Sequence, residues 1–117
     1  MGAPLKPVDV LILMMLVRGT RHGYGIMRDV AEHTEGEIQL EAGSLYRSLR
    51  RLLDEGLVTE AAAAAPAPDD ERRRYYGLTP VGRRALAAEA LRMRRLVREA
   101  EAAGLIAPAG PSPAGAS

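Results

Sequence analysis

Residues 43–56, GSLYRSLRRLLDEG, constrain the fold more than any other segment. Their leucines recur at helical spacing and form one stripe: Leu45, Leu49, Leu52 and Leu53. Ser44, Arg47 and Arg51 point away from this stripe, and Arg50 lies at its flank. Gly56 is a typical C-terminal cap. The pattern predicts a helix that buries leucine on one side and presents arginine on the other.

A β-ribbon is predicted directly after this helix. Residues 57–60, LVTE, and 72–78, RRRYYGL, have the composition of strands. Residues 61–70, AAAAAPAPDD, form a connecting loop that is long for a hairpin. Because side chains alternate between the two faces of a strand, one of Tyr75 and Tyr76 faces the core, and we expect it to be Tyr76.

Two helices and a short strand are predicted before residue 43. The first helix covers residues 5–18, with Pro7 in its first turn and Gly19 after its end. Residues 22–33, HGYGIMRDVAEH, form the second helix. Four of its residues share one face: Tyr24, Met27, Val30 and Ala31. Residues 38–40, IQL, alternate as a very short strand does.

The last predicted helix begins at Thr79-Pro80, because a hydroxyl caps a helix and proline suits its first position. This helix runs to about residue 103 and ends at Gly104. Apolar residues at heptad spacing form a seam along this helix: Leu86, Ala90, Met93, Val97 and Ala100. The tail, APAGPSPAGAS, has low complexity and is predicted to be disordered.

Composition narrows the class of protein. The 117 residues, 47% hydrophobic and 26% charged, suit a small globular protein. The absence of Cys excludes disulfides and thiolate-bound metals. Without Phe or Trp we expect a thin core of Leu, Ile, Val, Met and Ala, and such chains often gain burial by pairing with a second copy. The longest apolar run, residues 10–17, is too short to span a membrane, so we expect a soluble cytoplasmic protein.

Residues suited to catalysis are scarce. The chain has two histidines, and it has no P-loop, G-x-G-x-x-G or G-x-S-x-G motif. Asp29 and His33, four positions apart, could hold a metal with Glu32 or Glu37. A solvated helix face with one i,i+4 pair explains these residues better. We therefore expect no enzymatic activity, no cofactor and no metal.

The order of helix, helix, short strand, amphipathic helix and ribbon is that of a winged helix-turn-helix domain. In such a domain the helix at 43–56 enters the major groove of DNA and the ribbon lies against the backbone. Net charge is only +1, but residues 83–98 contain six Arg and one Glu, so charge is sorted along the chain. Guanidinium groups suit both phosphates and guanine edges. The alternative for Arg47, Arg50 and Arg51 is that they only keep a surface helix soluble.

Five motifs follow one another along the chain: HGYG at 22–25, GSLYRSLRRL at 43–52, EGLV at 55–58, RYY at 74–76 and LTPVGR at 78–83. Together they resemble the PadR family of transcriptional regulators, over about residues 5–103. The resemblance implies a homodimeric bacterial repressor that binds an operator and is released by a small molecule. It also implies that the first and last helices form the dimer interface.

The short C-terminal region, one helix and then a tail, resembles that of the small subgroup of the family, and the chain departs from the family pattern in other respects. Glu41-Ala42 precede Gly43 where the family often has a Ser-Pro-like pair, and Gly77 interrupts the wing strand. Some small relatives stack flat aromatic ligands on a Trp in the dimer pore, and this chain has no Trp. That mode of ligand binding therefore cannot be transferred to this protein.

The residue pattern and the resemblance together predict DNA contacts from the helix at 43–56 and from the wing: Ser44, Tyr46, Arg47, Arg50, Arg51, Arg72, Arg73 and Arg74. Two interpretations of Tyr46 stay open, since its hydroxyl reaches a phosphate in the family pattern but its ring could simply seal the core. The three wing arginines adjoin three acids, so a merely solvated ribbon is the alternative there.

The predicted dimer interface combines the first helix with the apolar seam of the last: Leu11, Met14, Met15, Leu86, Ala90, Met93, Val97 and Ala100. A small hydrophobic effector is predicted between the subunits, with Met14, Met15, Met93 and Val97 among its contacts. The alternative is that these side chains pack against one another and leave no cavity.

The sequence therefore predicts a mainly α fold with a small β-hairpin. It divides into a winged helix-turn-helix domain (1–78), a dimerisation helix (79–104) and a disordered tail (105–117). The predicted partners are a double-stranded operator with an inverted repeat and a second copy of the chain. Two alternatives are a protein-interaction module, which would expose an apolar face at Ser44, Arg47 and Arg51, and a MarR-like regulator, which needs longer flanking helices.

Overall fold

A computed structural model describes residues 4–61 and 74–110. Its elements, in chain order, are α1 (Pro7–Met15), β1 (Arg21–His22), α2 (Gly23–His33), α3 (Ala42–Asp54), β2 (Val58–Ala61), β3 (Tyr75–Leu78) and α4 (Pro80–Ala102). The predicted mainly α class with a small sheet is confirmed. None of the helices described is both long and apolar enough to cross a membrane.

Local chemistry sets the helix ends. Pro7 occupies the first turn of α1, which ends at Met15, earlier than predicted, because the chain then tightens into turns that lead to Gly19 at φ 151°. At the start of α2 the His22 Nδ1 accepts a hydrogen bond from the Gly25 N–H at 3.0 Å. Thr79 caps α4 as predicted, with its Oγ1 accepting from the Gly82 N–H at 2.9 Å.

The three strands form one antiparallel sheet in the order β1-β3-β2. Tyr76 of β3 lies opposite Arg21 of β1 on one side and Glu60 of β2 on the other. The predicted strand at residues 38–40 is wrong. That segment is a loop held by Thr34, whose hydroxyl donates to the Val30 carbonyl (2.9 Å) and accepts from the Ile38 N–H (3.0 Å).

The buried core is almost entirely aliphatic: Ile12, Leu13, Leu16, Ile26, Val30, Leu45, Leu49, Leu52, Leu57, Val58, Tyr76 and Leu86. Tyr76 faces inward, as predicted, and Tyr75 is half-buried. The predicted packing face of α2 is partly wrong. Ile26 and Val30, four positions apart, carry the contact with the core, while Tyr24 points to solvent with 64% of its surface exposed.

Helix α3 packs on α2 and β2, whereas α1 packs on α2 and α4. The first turns of α4 belong to the same core, where Leu86 is only 5% exposed. Leu86, which was predicted in the apolar seam of the dimer interface, is therefore already buried within one chain, because α4 lies against α1. The division of the chain into three parts, with boundaries after residues 78 and 104, stays a prediction. Residues 111–117 of the tail lie outside the described ranges.

Candidate nucleic-acid interface

The leucine stripe orients α3 as predicted. Leu45, Leu49 and Leu52 are at most 1% exposed, and Leu53 is half-buried. Burying this stripe turns the opposite side of the helix outward. The helix begins at Ala42, and its N-cap residue is Glu41, whose side chain makes no capping hydrogen bond. Gly56, with φ 76°, terminates the turn after the helix as expected of a C-terminal glycine.

Arg47 and Arg50 are the exposed cations of α3. Arg47 Nη2 donates to the Oγ of the half-buried Ser44 at 3.3 Å, which keeps the guanidinium along the helix surface. Within the ranges that the structure covers, neither arginine forms an ion pair with an acid. Both positive charges are therefore available to an anionic partner.

Arg51 differs from Arg47 and Arg50 because it forms an ion pair with an acid. Its Nη2 lies 2.5 and 2.7 Å from the two carboxylate oxygens of Asp9 on α1, and Asp9 is only 4% exposed. The expectation that Arg51 points away from the domain together with Arg47 is wrong, because a buried carboxylate draws its side chain inward. Its predicted contact with DNA stays a prediction, and the ion pair competes with it.

Tyr46 lies at the edge of the domain with 48% of its surface exposed. Its ring stands over Gly23 at the start of α2 so closely that a Cβ there would collide with the hydroxyl. Tyr46 also lies near Tyr76, whose pKa is raised, mainly by burial and then by Tyr46 and Glu60. A ring that packs on glycine and keeps half its surface in solvent fits both interpretations of Tyr46.

The wing carries one described cation. The Arg74 side chain is 76% exposed, and its Nε lies 3.6 Å from Glu60 Oε1 across the ribbon. So exposed an ion pair contributes little and leaves the guanidinium free to exchange partners. Arg72 and Arg73 lie outside the described residues. Tyr75 is next to this cation and sets its ring edge-on against His22, with 5.4 Å between the centroids.

Sequence reasoning missed two buried carboxylates. Asp9 is the only charged residue of α1, and Glu89 is the only acid among the six arginines of residues 83–98. Glu89 accepts hydrogen bonds from Arg92 Nη2 (3.0 Å) and the Leu5 N–H (2.8 Å), which lower its pKa. A lone acid in an apolar or basic segment is the signal that could have found both.

Asp29, one of the four residues considered as metal ligands, forms ion pairs instead. Asp29 pairs with Arg21, with Nε and Oδ2 3.2 Å apart, and its other oxygen lies 3.9 Å from Arg28. No group of three or more histidine and acidic side chains suited to a metal occurs in the part of the chain that the structure describes. Arg21 itself stands on β1, the strand that the sequence did not predict.

An apolar surface remains uncovered on α1 and α4. Met14, Met93 and Val97 are 41–46% exposed. Ala90 is also exposed, whereas Leu11, Met15 and Ala100 are half-buried. Five further large apolar residues, absent from the predicted seam, are exposed on or just after α4: Val81, Leu91, Leu96, Leu105 and Ile106. We call the exposed apolar residues of α4 from Ala90 onward, with Leu105 and Ile106, the α4 apolar surface.

A cavity of about 960 Å³ lies between the start of α1, the end of α3 and the first turns of α4. It includes Leu5, Asp9, Arg51, Ala85 and Arg92 in its lining. None of the four residues predicted to hold a ligand, Met14, Met15, Met93 and Val97, belongs to this lining. The predicted ligand contacts thus lie at a different place on the chain.

The fold and these motifs match known proteins. A family model described as "Transcriptional regulator PadR-like family" matches residues 12–88. A PadR family transcription regulator from Clostridium difficile is 26% identical, with a TM-score of 0.70 over 86% of this chain and 100% of that chain. Bacillus subtilis PadR, solved in complex with operator DNA, is 24% identical, with a TM-score of 0.60 over 71% of this chain and 46% of that chain.

An uncharacterised protein of Lysinibacillus sphaericus is 26% identical over 80 residues, which are 68% of this chain and 72% of that protein. The structural similarity to these regulators also confirms the winged-helix fold. The match to the family model spans well over half of the chain. The protein therefore belongs to the PadR-like family of transcriptional regulators.

Proposed function

We propose that this protein is a homodimeric, sequence-specific DNA-binding repressor that leaves its operator when a small hydrophobic ligand binds. The observation that carries the proposal is the exposed face of α3, where Arg47 and Arg50 stand without acid partners in the described chain, beside a wing bearing Arg74. The complex of Bacillus subtilis PadR with operator DNA supports the same use of this fold.

In this proposal α3 enters the major groove and the wing lies along the backbone. Arg47 and Arg50 read guanine edges or bind phosphates through their two-pronged guanidinium groups. Ser44 and Tyr46 lie on the first two turns of α3 and would contribute hydroxyl contacts to phosphates. The three wing arginines, Arg72, Arg73 and Arg74, would bind the backbone, and Arg51 contributes only if it exchanges Asp9 for DNA.

A two-fold dimer would place its α3 helices in successive major grooves, roughly 34 Å apart, on an inverted repeat. The α4 apolar surface supports this assembly, because so many exposed apolar side chains on one helix are costly unless a partner covers them. Leu11, Met14 and Met15 of α1 would complete the interface. Because the target is chromosomal DNA, we propose that the protein acts in the cytoplasm.

The proposed ligand lies in the dimer interface against Met14, Met15, Met93 and Val97. The two α3 helices can adopt a spacing that fits the operator or one that does not. Release requires that the ligand binds the second spacing more tightly than the first. A coupling of roughly 1–3 kcal/mol would weaken operator binding about 5–150-fold. Methionine side chains are flexible enough to adapt to such a guest.

Selection of bound sequences from random DNA tests the central claim. We expect an inverted repeat, and affinity for it that falls steeply as salt rises because phosphate contacts release counterions. Arg47→Ala and Arg50→Ala should each cost about 1–3 kcal/mol of operator binding. Arg95→Ala, which removes an exposed arginine from α4, is the matched control and should bind normally. Two outcomes contradict the proposal: recovery of no preferred sequence, or wild-type operator binding by the double variant Arg47→Ala with Arg50→Ala.

Neither alternative fits as well. A protein-interaction module would expose apolar side chains on α3, and the exposed positions there include Arg47 and Arg50 instead. Membership of the PadR-like family excludes a MarR-like regulator. The same membership places the chain in a family of transcriptional regulators, which are non-enzymatic in general.

A further inference from the structure

The Asp9–Arg51 ion pair joins two helices that both pack on α2. Its partners are 42 positions apart in the sequence, Asp9 in the first turn of α1 and Arg51 in the last turn of α3. The packing of α3 is mainly on α2 and β2, and that of α1 on α2 and α4. The pair is therefore a direct polar link from α1, a helix of the proposed dimer interface, to α3, the helix proposed to read DNA.

The environment of the pair makes it rigid. Asp9 is almost fully buried, the Arg51 side chain is 35% exposed, and one guanidinium nitrogen contacts both carboxylate oxygens. Removing one partner of such a pair leaves a buried charge uncompensated, whereas replacing both with well-packed apolar groups of similar volume is often neutral for stability. Folding alone thus does not require the pair, but a short, buried link does restrict how α3 can rotate against α1.

We propose that Asp9 is a positioning residue for DNA recognition: it holds Arg51 and so fixes α3 relative to α1, and through α1 the spacing of the two α3 helices in the dimer. This inference rests on the proposed DNA-binding function. Arg51 then acts through its ion pair and not as a contact to DNA, which separates it from Arg47 and Arg50.

The sign of one effect distinguishes positioning from simple electrostatics. Asp9 is an anion, and removing an anion near a DNA-binding surface strengthens binding to the polyanion if charge alone matters. Loss of positioning has the opposite effect, because a misplaced α3 loses contacts with base edges and keeps most non-specific attraction to phosphates. Asp9→Asn therefore weakens binding to the operator while binding to an unrelated duplex is unchanged or stronger.

The experiment measures dissociation constants for the selected operator and for an unrelated duplex of equal length, over a range of KCl concentrations. The variants are Asp9→Asn, Arg51→Met and the apolar double variant Asp9→Leu with Arg51→Met. Asp54→Asn is the control that removes an exposed anion from α3. Thermal melts show whether each variant is folded at the assay temperature. The double variant contains no uncompensated buried charge, so it carries the test if a single variant unfolds.

We expect the double variant to melt close to wild type and yet to lose about tenfold in operator affinity, the equivalent of roughly one base contact. Its affinity for the unrelated duplex and its salt dependence should stay at wild-type values, and Asp54→Asn should bind the operator at least as tightly as wild type.

Wild-type operator affinity in the double variant overturns the inference. So does a fall of about one in the salt slope of Arg51→Met, because that loss identifies a phosphate contact. A wild-type protein that binds no duplex selectively refutes the proposed function instead, and this outcome is visible before any variant is compared.

Discussion

Gly82 is the position at which local preference and tertiary packing oppose each other most directly. It lies in the first turn of α4, where its N–H donates to Thr79 Oγ1. A Cβ at this position would collide with the Leu57 carbonyl oxygen and would stand 2.9 Å from both the Leu57 carbonyl carbon and Leu78 Cδ1. We therefore expect Gly82→Ala to destabilise the protein, although Ala is the better helix former.

The magnitude follows from two opposing terms. Alanine gains about 1 kcal/mol over glycine in a helix. Overpacking a close-packed site costs about 1–3 kcal/mol, and the upper end applies here because the obstacle is backbone that cannot rotate away. The net loss is about 2 kcal/mol, which lowers the melting temperature of a domain of this size by about 8 °C.

Gly43→Ala is the matched control. It also lies near the start of a helix, but it is exposed, and its new Cβ would approach nothing closer than Arg47 Nη1 at an ordinary 3.6 Å. This variant should be stabilised by up to about 1 kcal/mol. Thermal and urea unfolding at one fixed protein concentration measures both changes, since a dimer melts in a concentration-dependent way. A Gly82→Ala protein that melts at or above the wild-type temperature refutes the reasoning.

Three further perturbations test other parts of the structure. Thr79→Ala removes the N-cap of α4 and should cost about 1 kcal/mol in urea unfolding, with Thr79→Ser largely restoring it; an unchanged midpoint argues against the cap. Hydrogen bonds from Arg92 and then from the backbone lower the pKa of Glu89, so its contribution is complete above the ordinary glutamate pKa and is lost as pH falls through the lowered value. The stability difference between wild type and Glu89→Gln should accordingly shrink on acidification, and a constant difference contradicts the assignment. Met93→Asp with Val97→Asp should give monomers by sedimentation and abolish operator binding together, and a wild-type monomer at micromolar concentration refutes the dimer.

Much of the fold was predictable because it depends on short-range patterns. The leucine stripe of α3, the Thr79-Pro80 start of α4 and the inward Tyr76 all follow from helical spacing, capping chemistry or strand alternation, and the structure confirms each. The family, too, was evident from the order of its motifs, and the match over residues 12–88 confirms it. Arg47 could be placed on the exposed face for the same reason, whereas Arg50 was predicted at the flank of the stripe and is exposed as well.

Other features depended on contacts between distant segments, which local patterns do not record. β1 has only two residues and exists because β3 offers it a partner, whereas residues 38–40 alternate correctly but have no neighbouring strand in the described chain. Leu86 is buried because α4 lies against α1. Gly82 is required because α4 begins in contact with the Leu57 carbonyl.

The division is clearest at α3 itself. Helical periodicity alone determined that its leucines turn inward and that a basic side remains, because a single helix decides which residues share a face. Periodicity could not separate Arg51 from Arg47, since both lie on that side. Only the tertiary structure decided between them, because a carboxylate 42 positions away, on a different helix, is buried where it can bind just one of the two.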